Sequence, residues 1–266
     1  MLKRTTVTAF AKRKREGEKI VMITAYDAPG AAAAADAGID ILLVGDSLAP
    51  TVLGYRNTLP VTMEQMLHHA AAVRRGAPGS FVVFDMPFMS YQESIEKALH
   101  NGGRALKEAD ADAVKLEGGA EMAPLVDALV GAGIPVMAHV GLLPQRVLTA
   151  GGYRIQGRTP EAAERILADA KALEAAGAFA VVLECIPEDL GKTVTEALSI
   201  PTIGIGSGAE CSGQVQVMND VIGLFEEAPR HAKRYAEVGR IVREALKDYA
   251  SEVRGGVFPD ESHSFR

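Results

Sequence analysis

An α/β fold with a parallel sheet, closed as a single (β/α)8 TIM barrel, is the class this sequence predicts, on three observations. Short apolar runs alternate with longer amphipathic stretches, the pattern of strands joined by crossover helices. About eight such units can be counted. The length, 266 residues, is one that these barrels reach around one continuous core. Five or six units would make an open doubly wound sheet instead, and strand counting alone does not choose between the two.

Taken in order, the basic run at residues 12–15 lies in a helix-like stretch, where a solvated basic face is its plain reading. The apolar runs predict strands at residues 20–24, 39–44, 81–84, 113–116, 134–138, 179–183 and 201–205, with a less definite eighth near 220–224. Ala-rich segments at 28–37, 94–108, 120–132 and 160–176 have helical composition and spacing. Gly38, Gly133 and Gly177 stand where helices should stop. A helix from about residue 229 to 253 and an irregular polar tail, 255–266, complete the chain. No linker rich in Pro, Gly and Ser divides it, so residues 1–266 read as one domain.

Composition narrows the function. Hydrophobic residues at 48% and charged residues at 23% describe a globular chain. A net charge of -6 with scattered Lys and Arg argues against a nucleic-acid surface. Lys3 and Arg4 precede no apolar signal segment, and no long uncharged apolar run exists to enter a membrane. Cys185 and Cys211 make neither a disulfide framework nor a closed zinc site, so a reducing, cytoplasmic setting is expected.

The most informative pattern is what ends each apolar run. Asp46 follows the second, Asp85 the third, His139 the fifth and Glu184 the sixth, while Lys115 and Glu117 end the fourth. In a parallel barrel these carboxyl ends share one face, so residues distant in sequence converge on one mouth. Alternation along a strand points Lys115 and Glu117 to the same side. Each residue also has a plainer reading. Asp46 or Asp85 alone can be a helix N-cap, Lys115 with Glu117 an ordinary ion pair, and His139 a structural histidine like His68 and His69. Collectively they resist it, because burying several charges at one mouth costs several kcal/mol per ion unless partners or a metal compensate. Asp46, Asp85 and Glu117 form an oxygen-rich set suited to Mg2+, which keeps waters and takes part of its coordination from a substrate.

At these residues the chain resembles the ketopantoate hydroxymethyltransferase (3-methyl-2-oxobutanoate hydroxymethyltransferase) family. The likeness runs nearly end to end. It is carried by Met22-Ile23-Thr24-Ala25-Tyr26-Asp27, Val44-Gly45-Asp46-Ser47-Leu48, Asp85-Met86-Pro87-Phe88-Met89, Val114-Lys115-Leu116-Glu117-Gly118-Gly119, His139-Val140-Gly141-Leu142 with Pro144-Gln145, and Leu183-Glu184-Cys185-Ile186-Pro187. Gly204-Ile205-Gly206 alone is a weak signal; the ordered set is specific. Departures from the family's usual residues are Ala49 for Gly, Ser207 for Ala, and Ser212 for Asp. The last removes a charge near the seventh strand-end loop.

The resemblance implies a one-carbon transfer from 5,10-methylenetetrahydrofolate to 3-methyl-2-oxobutanoate, giving 2-dehydropantoate through an aldol-type step. It further implies that Asp46, Asp85 and Glu117 bind or support Mg2+. Asp46, Ser47, Asp85 and Lys115 would hold the oxo acid, Glu184 would accept the proton, and His139 would support. Homo-oligomers, often decameric, are implied too. With no Trp and 5% aromatic residues, the sequence names no folate platform. The competing readings are a metal-dependent lyase or mutase of small oxo acids, as in the phosphoenolpyruvate mutase and isocitrate lyase group, and a binding protein that has lost turnover.

Overall fold

A computed structural model describes residues 4–265. Lys3 and Arg266, at the ends of the expected terminal segments, lie outside the described residues. Eight parallel strands pair in sequence order and close on themselves: β1 (Ile20–Thr24), β2 (Ile41–Val44), β3 (Phe81–Asp85), β4 (Ala113–Glu117), β5 (Val136–Gly141), β6 (Ala180–Glu184), β7 (Thr202–Ile205) and β8 (Gly213–Gln216). The helices are α1 (Val7–Glu16), α2 (Ala28–Asp36), α3 (Leu48–Thr51), α4 (Met63–Gly76), α5 (Ile95–Ala109), α6 (Ala123–Gly131), α7 (Val147–Ala150), α8 (Pro160–Ala175), α9 (Glu188–Ala197), α10 (Met218–Val221) and α11 (Val238–Gly255). The closed ring settles what strand counting left open. Although no linker was legible, contacts divide the chain into two compact units, the barrel through Gln216 and a second from Val217.

Several barrel helices, α2, α4, α5 and α8, start where a side chain satisfies a free N–H group. Asp27 caps α2 and Ser94 caps α5, and Thr62 with Gln65 forms a reciprocal capping box on α4. Gly38, Gly133 and Gly177 all take positive φ just past a helix, as expected. Inside the barrel every second strand residue packs inward. Ile20, Met22, Ile41, Leu43, Phe81, Val83, Ala113, Met137, Ala180, Val182, Ile203 and Val215 belong to one buried cluster. Phe10 of α1 joins it from the amino-end side, 5.0 Å edge-on to Phe81.

Three expectations need correction. The eighth strand is Gly213–Gln216, whereas residues 220–224 fall on α10 and the turn after it. This strand has no apolar run to betray it; it exists because β1 and β7 both need an edge partner. Gly213 is required there, since a Cβ would lie 2.3 Å from Ile20 O. The basic run is not simply a solvated face, because Lys14 Nζ donates to the carbonyls of Thr195, Leu198 and Ile200 (2.7–2.8 Å), and Arg13 pairs with Asp40. Those carbonyls lie at the end of α9 and the loop before β7, so Lys14 pins α1 under the barrel. The C-terminal helix starts at Val238 rather than near residue 229.

The second unit is built on α10 and α11. Gly239 N donates to Gly223 O and Val238 N to Ile222 O, tying the start of α11 to the turn after α10. Tyr249 on α11 stacks edge-on with Phe258, which in turn meets His263.

Candidate active site

The inward alternation that builds the apolar core continues upward into charge. Above Val83 the next inward residue of β3 is Asp85; above Ala113, β4 offers Lys115 and then Glu117. Above Met137 comes His139, and above Val182 comes Glu184. Register aligns them: Asp85 is level with Lys115, and Glu117 with His139. Asp46 lies just beyond β2, and its N–H donates to Asp85 Oδ2 (3.2 Å). The structure thus brings Asp46, Asp85, Lys115, Glu117, His139 and Glu184 to one rim, and all but Glu184 are buried. Ser47 adjoins them, its hydroxyl 2.8 Å from the Tyr26 hydroxyl.

The plainer readings fail on geometry. Neither carboxylate caps a helix: Ser47 occupies the N-cap of α3, and Ser94 that of α5. Lys115 is not simply the partner of Glu117. Its Nζ lies 2.7 Å from Asp85 Oδ1 and 3.9 Å from Glu117 Oε1, so it serves both. His139 is not a satisfied core histidine. Neither ring nitrogen makes a formed hydrogen bond, although Nε2 is 3.3 Å from Glu184 Oε2 and Nδ1 3.6 Å from Glu117 Oε1. His69, by contrast, is anchored at 2.6 Å to Tyr26 O.

The electrostatics follow from excess negative charge in a dry place. Burial, and then the charge of Asp85, raises the Asp46 carboxyl to about 7. Burial likewise raises Glu117 well above the usual range, against the pull of Lys115, with Asp46 and Asp85 adding to the shift. Burial alone would lower Lys115, but Asp85, Glu117 and Asp46 together outweigh it and hold the ammonium charged. His139 is lowered by burial and by Lys115, against the pull of Glu184 and Asp85, and this favours the neutral imidazole.

Two residues outside the strand-end pattern connect the carboxylates: Gln145, which lies in a segment of the family resemblance but carried no expected role, and Tyr91. Gln145, in the loop after β5, donates from Nε2 to Asp46 Oδ2 (3.0 Å) and Met86 O (2.9 Å), and from its backbone N–H to Glu117 Oε2 (3.0 Å). The buried Tyr91 hydroxyl lies 2.8 Å from Gln145 Oε1 and accepts the Glu117 N–H at 3.0 Å. Gln145 and Tyr91 are a neutral amide and a phenol in loops, with neither charge nor periodicity to mark them.

These residues fit a divalent cation. Glu117 Oε1 is buried without a hydrogen-bond partner, a costly state for a carboxylate oxygen that a cation would relieve. The donor set is all oxygen, as Mg2+ requires. Among the described residues no set of three or more His, Cys, Asp or Glu stands ready to hold a metal ion by itself. An ion that keeps waters and binds partly through substrate needs none.

Ser212 does not sit at this rim. It precedes β8 at the amino end of the strands, where its N–H donates to Thr202 Oγ1 (3.1 Å). The uncharged Ser212 thus stands on the face opposite the site. Neither thiol is activated: burial, then Glu184, pushes Cys185 up to about 11, and burial raises Cys211.

The ketopantoate hydroxymethyltransferase family model matches residues 4–261. The chain belongs to this family. Its 3-methyl-2-oxobutanoate hydroxymethyltransferase relatives include one from Thermotoga neapolitana, 58% identical over 96% of this chain and 94% of the relative. Another, from Carboxydothermus hydrogenoformans, is 56% identical over 98% and 95%. The (β/α)8 fold is shared with phosphoenolpyruvate phosphomutase from Streptomyces platensis subsp. rosaceus, with a TM-score of 0.63, 18% identity, and coverage of 98% and 92%. A phosphonopyruvate hydrolase crystallised with oxalate and Mg2+ matches at 0.63 with 12% identity, over 97% and 93%. At such identity these two speak for the fold alone, whereas the family's relatives exceed half identity along nearly the whole chain.

Proposed function

We propose that this protein transfers a one-carbon unit from 5,10-methylenetetrahydrofolate to 3-methyl-2-oxobutanoate, with water supplying the new hydroxyl oxygen, to give 2-dehydropantoate and tetrahydrofolate. The observation that carries the reading, beside family membership, is the gathering of three carboxylates, a charged lysine and Glu184 at one barrel rim, with Glu117 Oε1 unpartnered. Asp46, Asp85 and Glu117 would hold Mg2+. When bound, Mg2+ supplies positive charge beside the ketone and makes the C3 proton of the oxo acid more acidic.

The chain's own groups do the rest. Lys115, fixed between Asp85 and Glu117, keeps a permanent positive charge in a water-poor site, where it stabilises negative charge developing on the oxo acid. Ser47, placed by Tyr26, offers a hydroxyl to the acid's oxygens. Glu184, less buried than the others, accepts the C3 proton at a carboxylate oxygen, with His139 Nε2 standing 3.3 Å from that carboxylate. The raised, unreactive thiols give no support to a lyase that needs an activated cysteine.

The test is turnover: purified protein, oxo acid, methylenetetrahydrofolate and Mg2+ should yield 2-dehydropantoate, and a barrel that has lost activity would yield none. A homo-oligomer belongs to the same reading, supported by the exposed Ile241, Val242, Leu246, Tyr249 and Val253 along α11, an apolar stripe suited to a second copy. So does a cytoplasmic location, which both free cysteines suit. No described helix is long and apolar enough to cross a membrane.

A further inference from the structure

We infer that Gln145 is a positioning residue that turns Asp46 and Glu117 so that each presents its other oxygen to the cation, and that Tyr91 locks Gln145 in that orientation. The inference rests on the metal reading above. A carboxylate has two equivalent oxygens and rotates freely, so a site that needs one oxygen from each must tie down the other. Gln145 does this twice: its side-chain amide engages Asp46 Oδ2 and its backbone N–H engages Glu117 Oε2. What remains is the unpartnered Glu117 Oε1, while the Asp46 carboxylate is bonded through Oδ2 alone.

Only an amide suits the position. Nε2 must donate to Asp46 and to Met86 O, while Oε1 must accept at the Tyr91 hydroxyl and from Gln92 Nε2 (3.0 Å). Glutamate would lose both donations and add a carboxylate against Asp46. Tyr91 also bonds the backbone N–H of Glu117, so one phenol sets the amide and the strand end that carries a ligand.

The experiment measures Mn2+ binding to metal-stripped protein by the loss of the free-ion electron paramagnetic resonance signal, without oxo acid. Gln145→Met keeps an unbranched side chain and the backbone N–H to Glu117 but removes the amide's hydrogen bonds to Asp46, Met86, Tyr91 and Gln92. Its Mn2+ dissociation constant should rise about 10- to 100-fold, the usual effect of removing an outer partner of a metal ligand. In turnover, the half-saturating Mg2+ concentration should rise in step while the rate at saturating Mg2+ recovers, which a general loss of structure would not allow. Tyr91→Phe should move the same constant in the same direction, and it decides the question should Gln145→Met fail to fold. Folded variants that bind Mn2+ as tightly as the parent overturn this inference alone. A parent that binds no Mn2+, even after the oxo acid is added, overturns the metal reading and this inference together.

Discussion

Replacing Asp46 by Asn should stabilise the metal-free protein, and most at alkaline pH. The carboxyl is raised from 3.8 to about 7 in the fold. A carboxyl with a raised folded pKa binds more protons folded than unfolded between those values, so stability falls as pH rises through that window. The gap of about 3 pH units, at about 1.4 kcal/mol each, makes ionised Asp46 a penalty of about 4 kcal/mol at pH 8, against under about 2 kcal/mol at pH 5. These are upper bounds, because Asp85 and Glu117 share the charge. Asn keeps a carbonyl oxygen to accept from Gln145 Nε2 and carries no charge. Urea unfolding of metal-stripped parent and Asp46→Asn at pH 5 and pH 8 gives the comparison. A gain at pH 8 that shrinks at pH 5, together with lost turnover, is expected: the charge costs stability and is kept for function. No gain at pH 8, or an equal gain at both, would refute the claim that buried negative charge is in excess here.

Three further outcomes follow from the same geometry. Glu184→Gln should retain the fold and oxo-acid binding yet lose Mg2+-dependent deuterium exchange at C3 of 3-methyl-2-oxobutanoate by about 100-fold or more; exchange at the parent rate, followed by NMR, would remove Glu184 as the base. Phe10→Ala should cost about 3–5 kcal/mol in urea unfolding, because its ring lies fully buried with Phe81 in the barrel cluster. Leu246→Glu, at a position 61% exposed, should leave the monomer folded but lower the assembly size in light scattering; an unchanged mass would clear α11 of any part in assembly.

Much of the fold and most of the candidate site were legible because a parallel barrel couples them. Seven strands announced themselves as apolar runs, since an interior strand must bury both faces. The candidate residues Asp46, Asp85, Lys115, Glu117, His139 and Glu184 followed directly, because the carboxyl end of such a strand is where burial gives way to the mouth, whereas Gln145 and Tyr91 reach the site from loops that carry no such signal. Gly213–Gln216 was not legible: four residues with one inward apolar side chain, Val215, carry no hydrophobic signal, and the strand is defined by neighbours on both sides. The start of α11 was missed because residues 229–237 are polar and helix-compatible in composition, while the chain there is held in turns against α10.

The sequence by itself determined which residues are buried as strands, that charge gathers at their carboxyl ends, and, by resemblance, which family the chain belongs to. Tertiary structure alone decided how that charge is arranged. It set Lys115 nearer Asp85 than Glu117, two positions along its own strand, and joined Gln145 to Asp46 across 99 positions of chain. The reason is physical. Burial is a local property that hydrophobic patterning records, whereas a hydrogen bond between distant loops depends on the closed barrel bringing them within about 3 Å.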